Sequence, residues 1–356
     1  MQHDDATIDA LVQRLEFVSE EFAEIGSPFV SRLLALMAED VRSRPSGGTA
    51  QLLLPTLDAP VDDYHAQRAL SGVHWRVLNG DEPPLTAHYG SVGGDNDPDA
   101  AWPIVRAVLD RQPDEVVKAL AHPLQTNEPA RSAALIVGLL EIAAITSLPI
   151  RLLEVGASAG LNLHLDKFRF EHGETATGPA DSPVRFVDLW PAGAPRFDTT
   201  LRITHRRGCD RDPIDLRSAD EHTRLLSYVW PDEKERFALH RGATQIAATD
   251  PVAIDSSDAA DWVEQQLDGP LPAGEATVVM HSLVWMYLDT DTQRRIDSAM
   301  RRAGERAADN APLAWLRFEQ EASHKAACDL RLQMWPGGDD VLLATGGHHL
   351  APVHVY

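Results

Sequence analysis

Two cysteines, Cys209 and Cys328, and four lysines are the scarcest features of this 356-residue chain. Two thiols cannot make the disulfide framework of a small secreted scaffold, and they fit a reducing compartment. Positive charge is short as well: 32 basic residues face 54 acidic ones, a formal net charge of −22. Such a surface repels phosphate backbones and anionic membranes, which argues against nucleic acid as a partner. The acids are interspersed rather than gathered in a tail, and the lysine shortage beside many arginines reads as genome composition before chemistry. No uninterrupted apolar run of 18 residues occurs, and the opening Met-Gln-His-Asp-Asp lacks the apolar stretch of a secretory leader. The expectation is a soluble, cytoplasmic protein with no membrane partner. Its length suits one large domain or two smaller ones.

What is present divides into two textures. Up to residue 147 the pattern is helical, with apolar residues recurring at three and four over 7–23, 27–39, 62–79, 99–110, 113–122 and 128–146. Ser27-Pro28 reads as an N-cap followed by a first-turn proline. A Gly/Asp/Pro-rich loop covers 80–99. From 148 to 356 strands alternate with helices, as in a parallel α/β sheet. Strands are expected at 151–155, 201–206, 252–254, 276–280 and 313–318, with helices at 159–166, 219–228, 232–248, 258–267 and 291–308. Phe168–Phe170 and Val184–Val187 read as a hairpin inserted near 167–190. The end is a second hairpin, Asp329–Trp335 with Val341–Ala344. The first region is thus a helical cap region and the second the core.

The most informative stretch is Arg151-Leu-Leu-Glu-Val-Gly-Ala-Ser-Ala-Gly-Leu-Asn162. A strand, a tight turn and a helix start follow one another, so backbone N–H groups and the helix N-terminus are expected to face a ligand. Three motifs compete for it. A dinucleotide fingerprint would put glycines at Gly156, Ser158 and Leu161, and it fails at Leu161, where close helix packing is needed. The hydrolase elbow G-x-S-x-G matches Gly156-Ala-Ser158-Ala-Gly160 letter for letter. An elbow, however, follows a strand in the middle of a sheet, whereas the upstream region here is helical. Its triad would draw on His348 or His349. The methyltransferase loop, an acid two residues before the first of its glycines, matches at Glu154, Gly156 and Gly160, with small Ser158 between.

These features, with the acid after the second strand, Asp258-Ala259, His281–Tyr287 and the closing hairpin, resemble a class I S-adenosylmethionine-dependent methyltransferase. More narrowly, Thr126-Asn-Glu128, Glu154–Asn162, Arg207-Gly-Cys-Asp210, Val229-Trp-Pro231, His281–Trp285 and Trp335-Pro-Gly-Gly338 resemble the bacterial domain-of-unknown-function family 2332. The resemblance spans nearly the whole chain. It implies a Rossmann-like core, S-adenosylmethionine as cofactor and a small-molecule substrate. The acceptor and the oligomeric state are left open.

Roles can be set against plainer readings. Gly156 and Gly160 would let the backbone approach the methionine half of the cofactor, with Ser158 and Asn162 in the same loop. Glu154 would receive the amino group, or be a simple strand-end acid. Asp210 would take both ribose hydroxyls, a bidentate task suited to a carboxylate, with Glu171 and Asp215 as competitors. Asp258 with Ala259 would read the adenine amino group, or cap a helix. His281, leaving the carboxyl end of a central strand, would be the general base. Tyr287 would stand beside it in the catalytic site. Trp285 would wall the substrate side, with Asn127 and Glu128 at the rim or merely capping a helix. His348, His349 and His354 do not make a metal site, because strand alternation would separate the first two. The other readings kept open are a serine hydrolase with Ser158 as nucleophile and a non-catalytic cofactor-binding protein of the same fold.

Overall fold

The computed structural model describes residues 5–320, 327–349 and 352–356. It divides into two compact units: residues 1–126 with 218–238, and residues 127–217 with 239–356. The expected boundary at 147 therefore moves back to 126, and a later segment joins the helical unit. The cause lies in two stretches. The helix before the first strand is apolar on every face, which suits a core helix and not a surface one. The 218–238 segment carries Trp230, which is buried in the helical core.

The helical unit is built from α1 (Asp5–Glu24), α2 (Pro28–Ser43), α3 (Gly48–Leu53), α4 (His65–Asn79), α5 (Pro98–Arg111), α6 (Asp114–Ala121) and, later in the chain, the segment 219–227. In α1 the buried set Ile8, Leu11, Val12, Leu15, Val18 and Phe22 follows the three-and-four spacing, forming one stripe. Pro28 opens α2 as expected, yet the Ser27 side chain does not cap it. Asp232 takes over, accepting the Phe29 N–H at 3.0 Å and the Ser27 hydroxyl at 2.8 Å. Helix α3 had no sequence signal, because Gly47-Gly48 reads as a turn. Gly48 is needed there because a Cβ would lie 2.4 Å from the Asp110 backbone.

The second unit centres on an eight-stranded sheet. Helix α7 (Ser132–Thr146) leads to β1 (Ile150–Val155); a small three-stranded sheet of β2 (Arg169–His172), β3 (Thr175–Thr177) and β4 (Arg185–Val187) follows. The large sheet continues through β5 (Ile203–Asp210), after which the chain passes α8 (Ala219–Ser227, in the helical unit) and α9 (Lys234–Thr249). Strand β6 (Ala253–Ser256), α10 (Ala259–Gln266), β7 (Ala276–Ser282) and α11 (Thr290–Gly304) come next. The last strands are β8 (Leu313–Gln320), β9 (Cys328–Trp335), β10 (Asp340–Gly346) and β11 (His354–Val355).

Strand order is β11-β10-β9-β8-β7-β1-β5-β6. Strands β6, β5, β1, β7 and β8 run parallel, and β9, β10 and β11 are added antiparallel. The chain is thus mixed α/β with a mostly parallel central sheet. The inserted element differs in detail: β2 and β3 form the hairpin, whereas β2 and β4 pair in parallel.

Strands β1 and β7 are buried almost throughout, as strands covered on both faces must be. Pro129–Thr146 is long and apolar enough to cross a membrane by length and composition, and 72% of it is buried inside the fold. Gly138 brings α7 close to the sheet, since a Cβ there would lie 2.2 Å from a Leu316 methyl.

Candidate functional site

From β1 the chain order runs through β5 to β6 on one side and through β7 to β8 on the other. The reversal lies between β1 and β7, and ligands of open α/β sheets bind outside the carboxyl ends of the strands at such a point. Glu154, the loop after it, Asp210 and the end of β7 all lie there.

Glu154 is 2% exposed, and its Oε2 has no hydrogen-bond partner among the described residues. Burial pushes this carboxyl well above the usual carboxylate range; the Arg131 charge and an Asn162 hydrogen bond oppose the rise, and Asp210 adds to it. Asn162 is itself held by the Ser132 hydroxyl at 2.8 Å. A buried carboxylate oxygen without a donor is costly unless something else supplies one.

The loop departs from expectation in two ways. Leu161–Lys167 is a 3₁₀ helix, so no α-helix N-terminus points at the site. Five of its N–H groups are also spoken for. Those of Ala157, Ser158, Gly160 and Leu161 donate to Cys209 O, Asp210 Oδ2, Ala157 O and Asn127 Oδ1, and that of Gly156 bonds the Cys209 thiol. That leaves no continuous row of donors for a phosphate, which argues against the dinucleotide reading.

The glycines also have a different cause. Gly156, Ser158 and Gly160 have φ of 69°, 51° and 74°, the left-handed region. A Cβ on Gly156 would sit 2.3 Å from a Val284 methyl, and one on Gly160 would meet Val252 at 2.9 Å. The close approach is to the protein's own side chains.

Asp210 ends β5 and ties it to the loop, accepting N–H bonds from Ser158 at 2.9 Å and Asp212 at 3.0 Å. Its two competitors are engaged elsewhere. Glu171 pairs with Arg169 and Arg185, and exposed Asp215 pairs with Arg217, which holds it down near 2. Asp258 has the plainer role: it caps α10 by accepting the N–H groups of Ala260 and Asp261, with Ala259 buried behind it.

His281 lies within β7 rather than after it, and Leu283 follows at a φ of 51°, rare for a bulky residue. His281 is 2% exposed; its Nδ1 is 2.6 Å from Glu319 Oε1, and its Nε2 has no partner among the described residues. The ring stacks on Trp285 at 5.2 Å and 14°. Glu319 also accepts the N–H groups of Val284 at 3.1 Å and Trp285 at 3.2 Å. Trp285 opens a short 3₁₀ turn, Trp285–Tyr287, and packs on the apolar layer beneath α10 and α11, whereas Tyr287 is 76% exposed.

Glu154 pairs in register with Met280, so strand alternation sends Glu154 and His281 to opposite faces of the sheet. The two meet only around the strand ends, where Gly156 abuts Val284. Neither Glu319 nor Arg131 stands out in the sequence. The strand pattern ends at 318, one residue short of Glu319. Arg131, which donates to Ser282 O at 2.9 Å, reads from sequence as an ordinary first-turn helix residue.

Asn127, at a φ of 38°, fastens the loop through Leu161. Glu128 is completely buried, caps the turn at Ala130 and sits 3.2 Å from His240 Nε2, which is as deeply buried. That is a structural clamp at this rim rather than an open contact. His348 and His349 follow the end of β10 and are not strand residues, so alternation does not separate them. His349 Nδ1 lies 3.5 Å from Glu128, and the His348 carbonyl accepts from Arg131.

A mostly parallel α/β sheet with a polar, partly unsatisfied cluster at its reversal point defines the class of protein. Residues 12–354 match the bacterial family described as "uncharacterized protein conserved in bacteria (DUF2332)", and the chain belongs to that family. No curated protein matches it.

Proposed function

We propose that this protein is an S-adenosylmethionine-dependent methyltransferase with a Rossmann-like core, acting on a small molecule in the cytoplasm. The observation that carries the reading is the Glu154 carboxyl, buried and lacking a hydrogen-bond partner on Oε2 among the described residues, directly before the glycine turn at the strand-order reversal. A cationic amino group is the partner such an oxygen fits best, because a charge-assisted hydrogen bond offsets the burial of both charges. Asn162 and Ser132 orient the carboxylate. Asp210, fixed at the end of β5 by the N–H groups of Ser158 and Asp212, would take the hydroxyls of a ribose. The filled N–H groups of the loop favour a ligand without phosphate there.

The cofactor would supply an electrophilic methyl on a sulfonium. The protein's part is to align acceptor and methyl and to exclude water, which is where most of the acceleration arises. His281 would take the proton of a hydroxyl or amine acceptor, with Trp285 and Tyr287 bordering the acceptor side.

Titration calorimetry with S-adenosylhomocysteine tests the reading. Micromolar binding is expected, and no heat at millimolar ligand overturns it. Binding without transfer to any acceptor would make the protein a non-catalytic member of the same fold. One observation favours the hydrolase reading: Ser158 holds the positive φ that a nucleophile elbow requires. Stoichiometric labelling of Ser158 by a fluorophosphonate would establish that alternative instead.

A further inference from the structure

We infer that Glu319 is a positioning residue: it fixes His281 as the Nδ1–H tautomer and leaves Nε2 as the acceptor for the proton lost by the methyl-receiving atom. The inference rests on the methyltransferase reading.

The geometry is specific. Strands β7 and β8 pair His281 with Arg317, which puts Glu319 just past the histidine on the neighbouring strand. Its Oε1 takes the His281 Nδ1–H at 2.6 Å. The same oxygen accepts the Val284 N–H at 3.1 Å, and Oε2 accepts the Trp285 N–H at 3.2 Å. A carboxylate held by two backbone donors cannot swing away from the imidazole. An imidazole that donates from Nδ1 must, when neutral, carry its lone pair on Nε2.

That nitrogen is buried and unpartnered among the described residues, in a ring itself 2% exposed. Most buried polar atoms have a partner, and a standing exception at the end of a central strand asks for a ligand. Trp285 stacks flat on the imidazole and fixes its plane. Because Glu319 holds the Trp285 N–H as well, one carboxylate sets the tautomer, tilt and cover of the histidine together.

The chemistry balances. The acceptor's lone pair forms a bond to the methyl carbon as the carbon–sulfur bond breaks, its electron pair leaving with the now neutral sulfur. The acceptor's proton passes to His281 Nε2. The imidazolium so formed faces the Glu319 carboxylate, which stabilises the charge that develops in the transition state. Acceptors that must lose a proton, hydroxyls and amines, are the class this unit serves; a carboxylate acceptor would not need it.

The test uses the full chain labelled with ¹⁵N-histidine, together with S-adenosylhomocysteine and sinefungin, an analogue with an amine in place of the sulfonium methyl. In the free protein the His281 signals should report a protonated Nδ1 and a bare Nε2. Sinefungin should shift the Nε2 resonance as that nitrogen accepts a hydrogen bond, and S-adenosylhomocysteine should not. One such bond makes sinefungin bind roughly 5- to 10-fold tighter. In Glu319→Gln, which keeps the size and an acceptor for the backbone donors, the tautomer preference should disappear and the advantage fall below about twofold. Unchanged affinity for S-adenosylhomocysteine in that variant shows that the fold survives. A free protein with protonated Nε2, or a sinefungin complex in which Nε2 does not move, overturns the inference and makes His281 a packing residue. If neither ligand binds, the methyltransferase reading fails and the proton-acceptor role goes with it.

Discussion

His74 in the helical unit and His281 in the sheet unit are buried alike, at 1% and 2% exposure, and they teach different things. His74 has both ring nitrogens bonded, Nδ1 with the Ser227 carbonyl at 3.1 Å and Nε2 with the Ser91 hydroxyl at 2.8 Å. His281 is bonded on one side only among the described residues. A histidine with both nitrogens engaged holds a structure together. One with a single engaged nitrogen keeps a group in reserve, and in the sheet unit it shares that condition with Glu154. In the helical unit Asp232 locks α2, and the buried atoms without a hydrogen-bond partner among the described residues, such as His65 Nδ1 and Trp75 Nε1, are scattered. In the sheet unit Glu154 Oε2 and His281 Nε2 share that condition at the carboxyl ends of neighbouring strands, where ligands of open α/β sheets bind.

The largest effect should come from the tight packing between the loop and the end of β7. Gly156→Val places a β-branched residue at a φ of 69° with its Cβ 2.3 Å from Val284. A loss of about 2–4 kcal/mol in denaturant unfolding is expected. A neutral result would show that the contact between 156 and 284 yields easily.

The histidines sharpen the comparison through acid. Burial pushes His74 and His164 down to about 4; neither nitrogen of His164 has a hydrogen-bond partner among the described residues, and its Nδ1 lies 3.9 Å from Asp250 Oδ2. Between 6.5 and about 4 the unfolded chain binds protons that the folded protein refuses. Stability is therefore complete above 6.5 and is lost as pH falls, by up to about 3 kcal/mol per histidine. His164→Leu should remove its share of the acid loss with little cost at pH 7. His74→Leu should cost about 1–3 kcal/mol at pH 7, because it strands the partners of the ring. Urea midpoints across pH 4–7 decide both, and equal behaviour of the two variants would break the distinction between these histidines.

Glu154 has the opposite sign. Its raised carboxyl stays protonated in the folded protein after the unfolded chain has ionised, so its stabilising share is present below about 4.5 and lost as pH rises through the folded value. Glu154→Gln should flatten that decline. It should also weaken S-adenosylhomocysteine roughly 10- to 150-fold, the range for a charge-assisted hydrogen bond. An unchanged affinity would remove Glu154 from the ligand site.

The smallest effects belong to the exposed and loop positions. Ser158→Ala should change cofactor affinity by at most about 1–1.5 kcal/mol. Tyr287→Ala, at 76% exposure, should move stability by no more than about 0.5 kcal/mol. A large stability loss on either change would make it a structural residue instead.

Much of this protein was legible in the order of its residues. The three-and-four spacing of Ile8, Leu11, Val12 and Leu15 dictates α1, and the apolar run Ala276–Met280 dictates a buried strand, because periodicity and burial are local properties. The strand-to-loop step at Glu154–Gly160 was readable for the same reason, as was Asp258 as a helix cap. Tertiary structure alone decided the rest. It joined residues 218–238 to the helical unit and α7 to the sheet. It brought Glu319 to His281 across a gap of 38 residues, and it filled the space beside Gly156 with Val284. It also left one Glu154 oxygen without a hydrogen-bond partner among the described residues. Strand register, burial and hydrogen-bond satisfaction depend on which distant segments become neighbours, and no spacing within one segment encodes that.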